Sequence, residues 1–474
     1  MNTNRFLHSS TSTRHKVLGG MFIGVILFFL SIQNHQLGFY RAEDVGNSFL
    51  SDVNLASQDY SALQAEALLH GSLSVLPTPP ELLLLADPYD PAQNEQVRLR
   101  GYHDLSFYDG QIFAPQGFGA SLIIDLPTRL IGLGYASPPL KVLLLVALGT
   151  YFLFLLCLDL LHRYKRSLVS PIQTILLLFT ILLSNPVTWL LVPGRTYQVP
   201  NAAAYFAFNL GSWLIWAGLV FNREKRLIFG SLFLGLGFAA RPNMILWVIL
   251  IYTVFIIFIW RKNSPRIDFK SLAMLSVPLL TVIVFWCLFN YLRFDGYTET
   301  GHAFQLAGFN MPKYPIGSVS FIPQNMKAYL LTPLDISRNF PFFSLSPNNT
   351  SPVLNIQGHE SLGGLLVTYP LLCLSPVTAI FLFRREEKFL LLSLSLMGAS
   401  IGTLGLLSAI FKDSTMRYVP DFSMGLVLLT GLTICLVFEA LQGHKGIYLR
   451  FFSFFVCCTF AIQIGVLLTP CNNC

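Results

Sequence analysis

The sequence predicts an all-α polytopic membrane protein with about eleven transmembrane helices and two extracytoplasmic loops that contain short interfacial helices. Of its 474 residues, 53% are hydrophobic and 12% are charged, whereas soluble domains carry about 25% charged residues. Apolar runs of about 18 residues or more, long enough to cross the hydrocarbon core of a bilayer, recur along the chain. Most Lys and Arg residues stand in short clusters beside these runs, as topology signals do.

The spans are predicted near residues 17–33, 139–162, 170–192, 201–221, 227–240, 243–260, 271–291, 365–383, 388–411, 421–440 and 448–468. Segment 227–240 is short for a span. We therefore expect it to form a broken pair with segment 243–260 around Arg241 and Pro242, because non-helical backbone at membrane depth is tolerated where protein or a cavity surrounds it.

The run 117–134 decides the orientation of the chain. It is apolar but contains Asp125, Pro127 and Arg129, and as a full span it would invert every later basic cluster. As an interfacial or re-entrant segment it leaves these clusters on one side, which the positive-inside rule makes cytoplasmic. The clusters are Arg5/Arg14/Lys16, Arg163/Lys165/Arg166, Arg223/Lys225/Arg226, Arg261/Lys262/Arg266/Lys270, Arg384/Arg385/Lys388 and Lys445/Arg450.

This orientation divides the chain into five parts. The parts are a cytoplasmic N-terminus with the first span (1–33), an extracytoplasmic loop (34–138), a transmembrane bundle (139–291), a second extracytoplasmic loop (292–364) and C-terminal transmembrane helices (365–474). The C-terminus is then extracytoplasmic. The first loop holds half of the 24 acidic residues of the chain, so we expect polar chemistry on the outer face.

The first loop contains two patterns that could belong to a functional site. Asp59 precedes an amphipathic stretch (59–70) that reads as a short interfacial helix with Gly71 as its C-cap. An acid at this position has a structural explanation, because it caps the N-terminus of the helix and complements its dipole. The stretch around His103, Asp104 and Tyr108 continues into an Asp-Gly turn typical of hairpins. It is either a structural hairpin or an acidic and aromatic wall for a polar substrate such as a sugar.

Several Arg residues stand at the outer ends of the predicted spans. Arg293 begins the second loop, Arg417 and Tyr418 begin the span 421–440, and Arg241 occupies the helix break. A single Arg at a span end often only extends its side chain to the interface. Because a guanidinium binds phosphate through a planar fork, the group of them favours an anionic lipid-linked headgroup.

The order of these motifs resembles the C-type glycosyltransferase superfamily, and most closely its bacterial members related to protein mannosyltransferases and to the lipid A aminoarabinose transferase. The resemblance covers most of the chain. It is carried by Asp59-Tyr60 before ALQAEALLHGSLSV, and by the stretches HDLSFYDGQIFAP, GLGFAARPNMIL, NYLRFDGYTETGH and MRYVPDF. It implies a plasma (inner) membrane enzyme that transfers a sugar, with inversion, from a polyprenyl-phosphate donor to a lipid, glycan or protein acceptor on the extracytoplasmic face.

The resemblance also implies roles for individual residues. Asp59 would act as the general base on the acceptor hydroxyl, and Asp104 would be a second acid in the same cavity. Arg417 and Arg241 would bind the donor phosphate. The local patterns described above add His103, Tyr108, Arg293 and Tyr418 as candidates for the substrate site. Members of the family often have an acid pair at the first position, whereas Gln58 and Tyr60 flank Asp59 here.

The charge and the composition of the chain also indicate which partners and cofactors to expect. The bilayer is a partner and nucleic acid is not, since the net charge of +7 is explained by topology signals. No cofactor is predicted with certainty, and a divalent metal lacks the support of an acid pair. Two other functions stay open. A transporter or flippase would require ionisable residues at mid-membrane or paired broken helices, and a non-catalytic scaffold subunit would explain the incomplete acid pair.

Overall fold

The computed structural model describes residues 11–32, 37–41, 59–165, 170–263, 269–313, 317–340, 342–346, 361–377, 387–410, 414–440 and 445–468. Twelve helices of ten residues or more lie in this part of the chain. They are α1 (Thr11–Ile32), α2 (Tyr60–Leu69), α3 (Pro138–Lys165), α4 (Pro171–Leu183), α5 (Val199–Phe221), α6 (Glu224–Ala240), α7 (Ile245–Asn263), α8 (Phe269–Phe294), α9 (Ile322–Leu331), α10 (Glu387–Ile410), α11 (Val419–Ala440) and α12 (Lys445–Leu468).

Five helical segments in the described ranges are long and apolar enough to cross a membrane. They are Pro138–His162, Thr196–Phe221, Phe269–Phe294, Leu390–Ile410 and Met416–Phe438. Shorter apolar helices cover Phe22–Ile32, Pro171–Leu183, Pro242–Ile257 and Ser453–Leu468. The predicted all-α membrane architecture is confirmed at this coarser level, because helices dominate and the strands are short.

The helices pack closely where small residues face a neighbour. Helix α5 packs against α3 and α6, and α6 packs against α8. A Cβ atom at Gly149 of α3 would lie 2.5 Å from the Tyr205 ring of α5, and one at Gly211 would lie 2.8 Å from the Gly230 carbonyl of α6. Small side chains at such positions let helix backbones approach, which is how helices associate in lipid.

The predicted break at Arg241 and Pro242 is present. Helix α6 ends at Ala240, a 3-10 turn covers Pro242–Met244, and α7 starts at Ile245. Proline has no N–H to continue the helical ladder and disfavours helical geometry at the preceding residue. Arg241 accordingly adopts φ −141°, and its side chain lies at the end of the helix bundle.

The first loop also follows several local predictions. The strands β1 (Phe39–Tyr40) and β4 (Tyr135–Ala136) pair antiparallel, and β2 (Ser106–Tyr108) pairs with β3 (Gln111–Phe113) in the expected hairpin. Its turn residues, Asp109 and Gly110, have φ of 45° and 70°, as a type I′ turn requires. Segment 117–134 forms two short helices, Ser121–Asp125 and Leu126–Leu130, and contributes no candidate span.

Helix α2 departs from its prediction. Asp59 caps it by accepting a hydrogen bond from the Ala62 amide, and Gly71 follows it at φ 69°. However, the residues from Tyr60 to Ala67 are all buried. A helix that lies on a bilayer surface exposes its polar face to water, and α2 exposes none over these residues. It was predicted as an interfacial helix from its apolar spacing, and its polar residues are instead satisfied inside the protein.

The second loop combines helix α9 with a further hairpin. Strand β5 (Leu334–Ile336) pairs antiparallel with β6 (Phe343–Leu345). Asn325 of α9 donates a hydrogen bond to the Ser408 carbonyl of α10 at 3.0 Å, so this loop is attached to the helix bundle. The parts of the two predicted loops at 42–58 and 347–360 lie outside the described residues.

Candidate functional site

Two cavities meet at one end of the helix bundle, where α5, α7 and α11 begin and α6 ends. The smaller cavity has a volume of about 570 Å³ and the larger about 840 Å³. Tyr60 and Tyr197 line both of them. The smaller cavity is also lined by Asp104, Gln116, Arg241, Asn243, Ile245, Thr298, Glu299, His302, Leu406, Ile410, Arg417 and Tyr418.

Asp104 forms the acidic wall of the smaller cavity. Its backbone adopts φ 58°, which Asp tolerates better than most residues, and its N–H donates to the Leu306 carbonyl at 3.0 Å. The Tyr197 hydroxyl donates to Asp104 Oδ2 at 2.7 Å, and His103 Nε2 lies 3.6 Å from the same oxygen. The carboxylate is therefore oriented while part of it still faces the cavity.

Tyr60 and Tyr197 form the partition between the two cavities. The Tyr60 hydroxyl donates to the His103 carbonyl at 2.6 Å, and the two phenol oxygens lie 3.3 Å apart. The rings contact edge to face, with centroids 5.8 Å apart. Burial and the nearby Asp104 charge raise the pKa of Tyr60 above its usual value, so its phenol stays protonated at neutral pH.

Two guanidinium groups form the basic wall. Arg241 and Arg417 lie on the Tyr418 ring, at 4.9 Å and 5.1 Å from its centroid, and Arg417 also lies 5.4 Å from the Tyr197 centroid. Arg241 Nε donates to Asp421 at 3.1 Å. Cation–π contacts and the ion pair with Asp421 thus hold both guanidinium groups in place as donors for an anion, while Asp421 balances the charge of Arg241.

Asp421 was missed by the sequence analysis as a partner in this wall. It lies in the first turn of α11, and Asn201 of α5 donates both to its side chain at 3.1 Å and to the Arg417 carbonyl at 2.7 Å. The available signal was an acid at the start of a predicted span, where an ionisable group usually has a partner. The partner itself lies 180 positions away, beyond any local pattern.

Asp59 is not in the smaller cavity, contrary to the expectation that it shares a cavity with Asp104. Its side chain is 1% exposed and its two oxygens accept hydrogen bonds from Lys141 at 2.8 and 2.9 Å. Since a general base must reach the proton it removes, this geometry does not support Asp59 as the base. Its carboxylate is occupied by a buried ammonium group and by the N-terminus of α2.

Lys141 holds a second buried acid as well. Its ammonium group forms an ion pair with Asp125, and both side chains are fully buried. Burial raises the pKa of Asp125 to about 6, although the Lys141 charge opposes the rise. The cluster of Asp59, Lys141 and Asp125 joins the start of α2, the segment 117–134 and the start of α3. Its position between these elements indicates that it anchors the first loop to the bundle.

Arg293 and Tyr108 also lie outside the lining of both cavities, so their prediction as substrate-site residues is not supported. Arg293 is buried and donates to the Ala114 carbonyl at 2.7 Å and to Asn290 at 2.8 Å. Its guanidinium lies 4.1 Å from the Phe289 centroid. Tyr108 donates to Asp295 at 3.2 Å. Arg293 thus links α8 to the first loop, and Tyr108 links the first loop to the start of the second loop.

His103 lines the larger cavity rather than the smaller one. The described residues around it include Tyr40, Arg98, Gly101, Pro138, Arg195 and Thr196. His103 and Asp104 are consecutive and line different cavities, although the His103 ring lies close to the Asp104 carboxylate. Among the described residues, no group of three or more His, Cys, Asp or Glu side chains could hold a metal ion.

The geometry therefore places two carboxylates, Asp104 and Glu299, and two fixed guanidinium groups in the lining of one cavity at the end of an apolar bundle. Asp104, Arg241, Arg417 and Tyr418 are brought together as the sequence predicted. Comparison with known proteins adds no relative, because no family model, curated protein or solved structure matches the chain.

Proposed function

We propose that the chain is an inverting integral membrane glycosyltransferase that uses a polyprenyl-phosphate sugar as donor. The proposal rests on the smaller cavity, whose lining includes the carboxylate of Asp104 and the guanidinium groups of Arg241 and Arg417. Transfer from a glycosyl phosphate requires a base for the acceptor hydroxyl and a positive site for the leaving phosphate. The cavity contains both groups within one volume of about 570 Å³.

In the proposed reaction the acceptor hydroxyl attacks the anomeric carbon while Asp104 takes its proton. The new carbon–oxygen bond forms as the bond from the anomeric carbon to the phosphate oxygen breaks. The electron pair of that bond leaves with the polyprenyl phosphate, and Arg417 and Arg241 stabilise the negative charge that it gains. Attack from the side opposite to the leaving group inverts the anomeric carbon. Tyr197 orients Asp104 by its hydrogen bond.

The apolar part of the lining supports a lipid-linked donor. Ile245 of α7 and Leu406 and Ile410 of α10 line the same cavity as the charged groups. Helix α10 contains a candidate membrane span. A headgroup bound at Arg417 would thus have its lipid chain beside membrane-crossing helices, as a polyprenyl phosphate requires.

The topology is part of the proposal. Eleven spans, with the N-terminus cytoplasmic and the C-terminus extracytoplasmic in the plasma membrane, would put both cavities on the extracytoplasmic face. The opposite end of the bundle carries Arg223 and Lys225 beside α6, where Glu224 pairs with Lys270 of α8 at 2.6 Å. An excess of basic residues at that end favours its cytoplasmic location.

Glycan and lipid mass spectrometry of a strain without the gene, complemented with variants, tests this proposal. We expect wild type to restore a sugar mass on one product, and Asp104→Asn to lower that product about 100-fold or more, as loss of a general base does. Asp109→Asn is a matched control, since it changes an exposed acid of the same loop that also has positive φ.

Two outcomes would count against the proposal. A glycan and lipid profile that is unchanged without the gene would refute transfer. Loss of the product in Arg417→Gln with full retention in Asp104→Asn would favour the transporter or flippase alternative, because such a protein needs the anion site but no base. A protein that is inactive in every variant, wild type included, yet purifies with a second transferase would favour the scaffold alternative.

A further inference from the structure

The larger cavity has a basic lining that the proposed chemistry does not use. Arg98, Arg195 and His103 all line it, and none of the described residues in its lining is acidic. Its volume of about 840 Å³ lies within the range of cavities that hold small molecules. A cavity of this size and charge is suited to an organic molecule that carries an anionic group.

The two Arg residues are positioned by the fold. Arg98 Nε donates to Asn94 Oδ1 at 2.6 Å, and Nη2 donates to the Pro91 carbonyl at 2.9 Å. These bonds fix the guanidinium of a residue that lines the cavity, and Nη1 takes part in neither of them. Arg195 has an exposed side chain and precedes the turn Thr196–Gln198, which leads into α5. The positive end of the α5 dipole adds to the attraction for an anion.

The partition connects this cavity to the proposed reaction. Tyr60 and Tyr197 line both cavities, His103 lines the larger one, and the adjacent Asp104 lines the smaller. In an inverting transfer the base lies on the acceptor side of the anomeric carbon, opposite to the leaving phosphate. Asp104 accepts its hydrogen bond from Tyr197 and lies 3.6 Å from the His103 ring, and both of these residues line the larger cavity. The larger cavity therefore lies directly beside the proposed base.

We infer that the larger cavity is the acceptor site and that the acceptor carries a phosphate or carboxylate group bound by Arg98 and Arg195. The acceptor assignment rests on the proposed function. The anion site itself rests only on the cavity and its lining. Because an ionised acceptor is recognised by charge-assisted hydrogen bonds, neutral analogues of the same size are bound much more weakly.

Direct binding tests the anion site without any donor. We would titrate octyl phosphate, with octanol as the neutral probe, into full-length protein in phosphatidylcholine nanodiscs. All measurements use the Arg417→Gln background, so that the smaller cavity does not contribute. We expect Arg98→Gln with Arg195→Gln to raise the Kd for octyl phosphate about tenfold to a hundredfold, and octanol to bind weakly to every variant.

Two further variants make the result specific. Arg223→Gln with Arg338→Gln removes the same charge from exposed positions and leaves the Kd unchanged if the cavity binds the probe. Arg195→Gln alone avoids any disturbance of the Arg98 contacts and raises the Kd by itself. Equal weakening in the exposed-charge control, or equal binding of octanol and octyl phosphate, would overturn the anion site.

The strain comparison tests the acceptor assignment. The molecule that gains the sugar mass must contain a phosphate or carboxylate group, and a neutral acceptor would overturn the inference while the glycosyltransferase proposal stands. Conversely, if no molecule gains a sugar, both the proposed function and the acceptor assignment fail, and the titration still decides whether the cavity binds anions.

Discussion

Replacing Asp125 with asparagine is expected to change how the stability of the protein depends on pH. Asp125 is fully buried beside Lys141, which also binds Asp59. When both carboxyl groups are ionised, the cluster therefore buries one negative charge more than its ammonium group can neutralise. Burial raises the pKa of Asp125 from 3.8 to about 6, so the ionised form is disfavoured in the folded protein.

The sign and size of the effect follow from the pKa. A carboxyl group that binds its proton more tightly when folded contributes stability that is complete below pH 3.8 and is lost as the pH rises to about 6 and above. The rise from 3.8 to about 6 corresponds to about 3 kcal/mol at about 1.4 kcal/mol for each pKa unit. Roughly 2 kcal/mol of this stability is lost as the pH rises from about 4.5 to about 7.5. The amide of the variant does not titrate, so Asp125→Asn does not lose this stability. Its free energy of unfolding relative to that of wild type should therefore rise by roughly 2 kcal/mol from about pH 4.5 to about pH 7.5.

Unfolding by sodium dodecyl sulfate in mixed micelles, followed by tryptophan fluorescence at both pH values, measures the difference. Asp109→Asn is the control, because an exposed carboxyl group should leave the pH dependence unchanged. Lys141→Met, which strands two buried acids, should lower the free energy of unfolding at pH 7.5 by about 3–5 kcal/mol. If Asp125→Asn destabilised the protein equally at both pH values, the assignment of the excess charge to Asp125 would be wrong.

Three further outcomes follow from the packing and hydrogen bonding. Gly119→Ala should destabilise the protein by about 1–3 kcal/mol, because its new Cβ atom would lie 2.3 Å from the backbone of α6. Gly405→Ala is the control in the same unfolding assay and should be neutral, because its new Cβ atom would have no neighbour within 4 Å. Tyr197→Phe should lower product formation about tenfold, since Asp104 loses a hydrogen bond of about 1.5 kcal/mol; an unchanged rate would exclude an orienting role. Arg293→Met should lower the free energy of unfolding by about 1–3 kcal/mol by leaving buried acceptors unpaired, and product formation by correctly folded protein should remain at the wild-type level.

Local sequence patterns predicted the elements that local chemistry determines. The Asp109-Gly110 turn requires positive φ, so its hairpin could be read from the sequence. The Arg241-Pro242 break follows from the missing N–H of proline. The burial of α2 could not be predicted in this way. Apolar spacing reports which side chains avoid water, but it does not tell whether lipid or protein covers them.

The site was predictable in its composition but only partly in its pairing. Arg417, Arg241 and Asp104 were expected near one another because all three stand at outer ends of spans or in the outer loop. Lys141 was not recognised, since a single Lys at the start of an apolar run resembles an interfacial residue. Its pairing with Asp59, 82 positions earlier, removed the predicted base from the cavity. Such pairings depend on helix packing, which periodicity alone does not specify.

The partition between the cavities contains fewer hydroxyl hydrogens than hydrogen-bond contacts. Two phenol hydrogens serve three contacts, of which the donations to His103 and Asp104 are short, at 2.6 and 2.7 Å, and the contact between Tyr60 and Tyr197 is long, at 3.3 Å. The long contact is the one left without a hydrogen while Asp104 is ionised. A proton arriving on Asp104 supplies the third hydrogen, and rotation of the Tyr197 hydroxyl then completes one continuous chain from the carboxyl group to the His103 carbonyl. The partition thus lacks one hydrogen while Asp104 is ionised and gains that hydrogen when Asp104 is protonated.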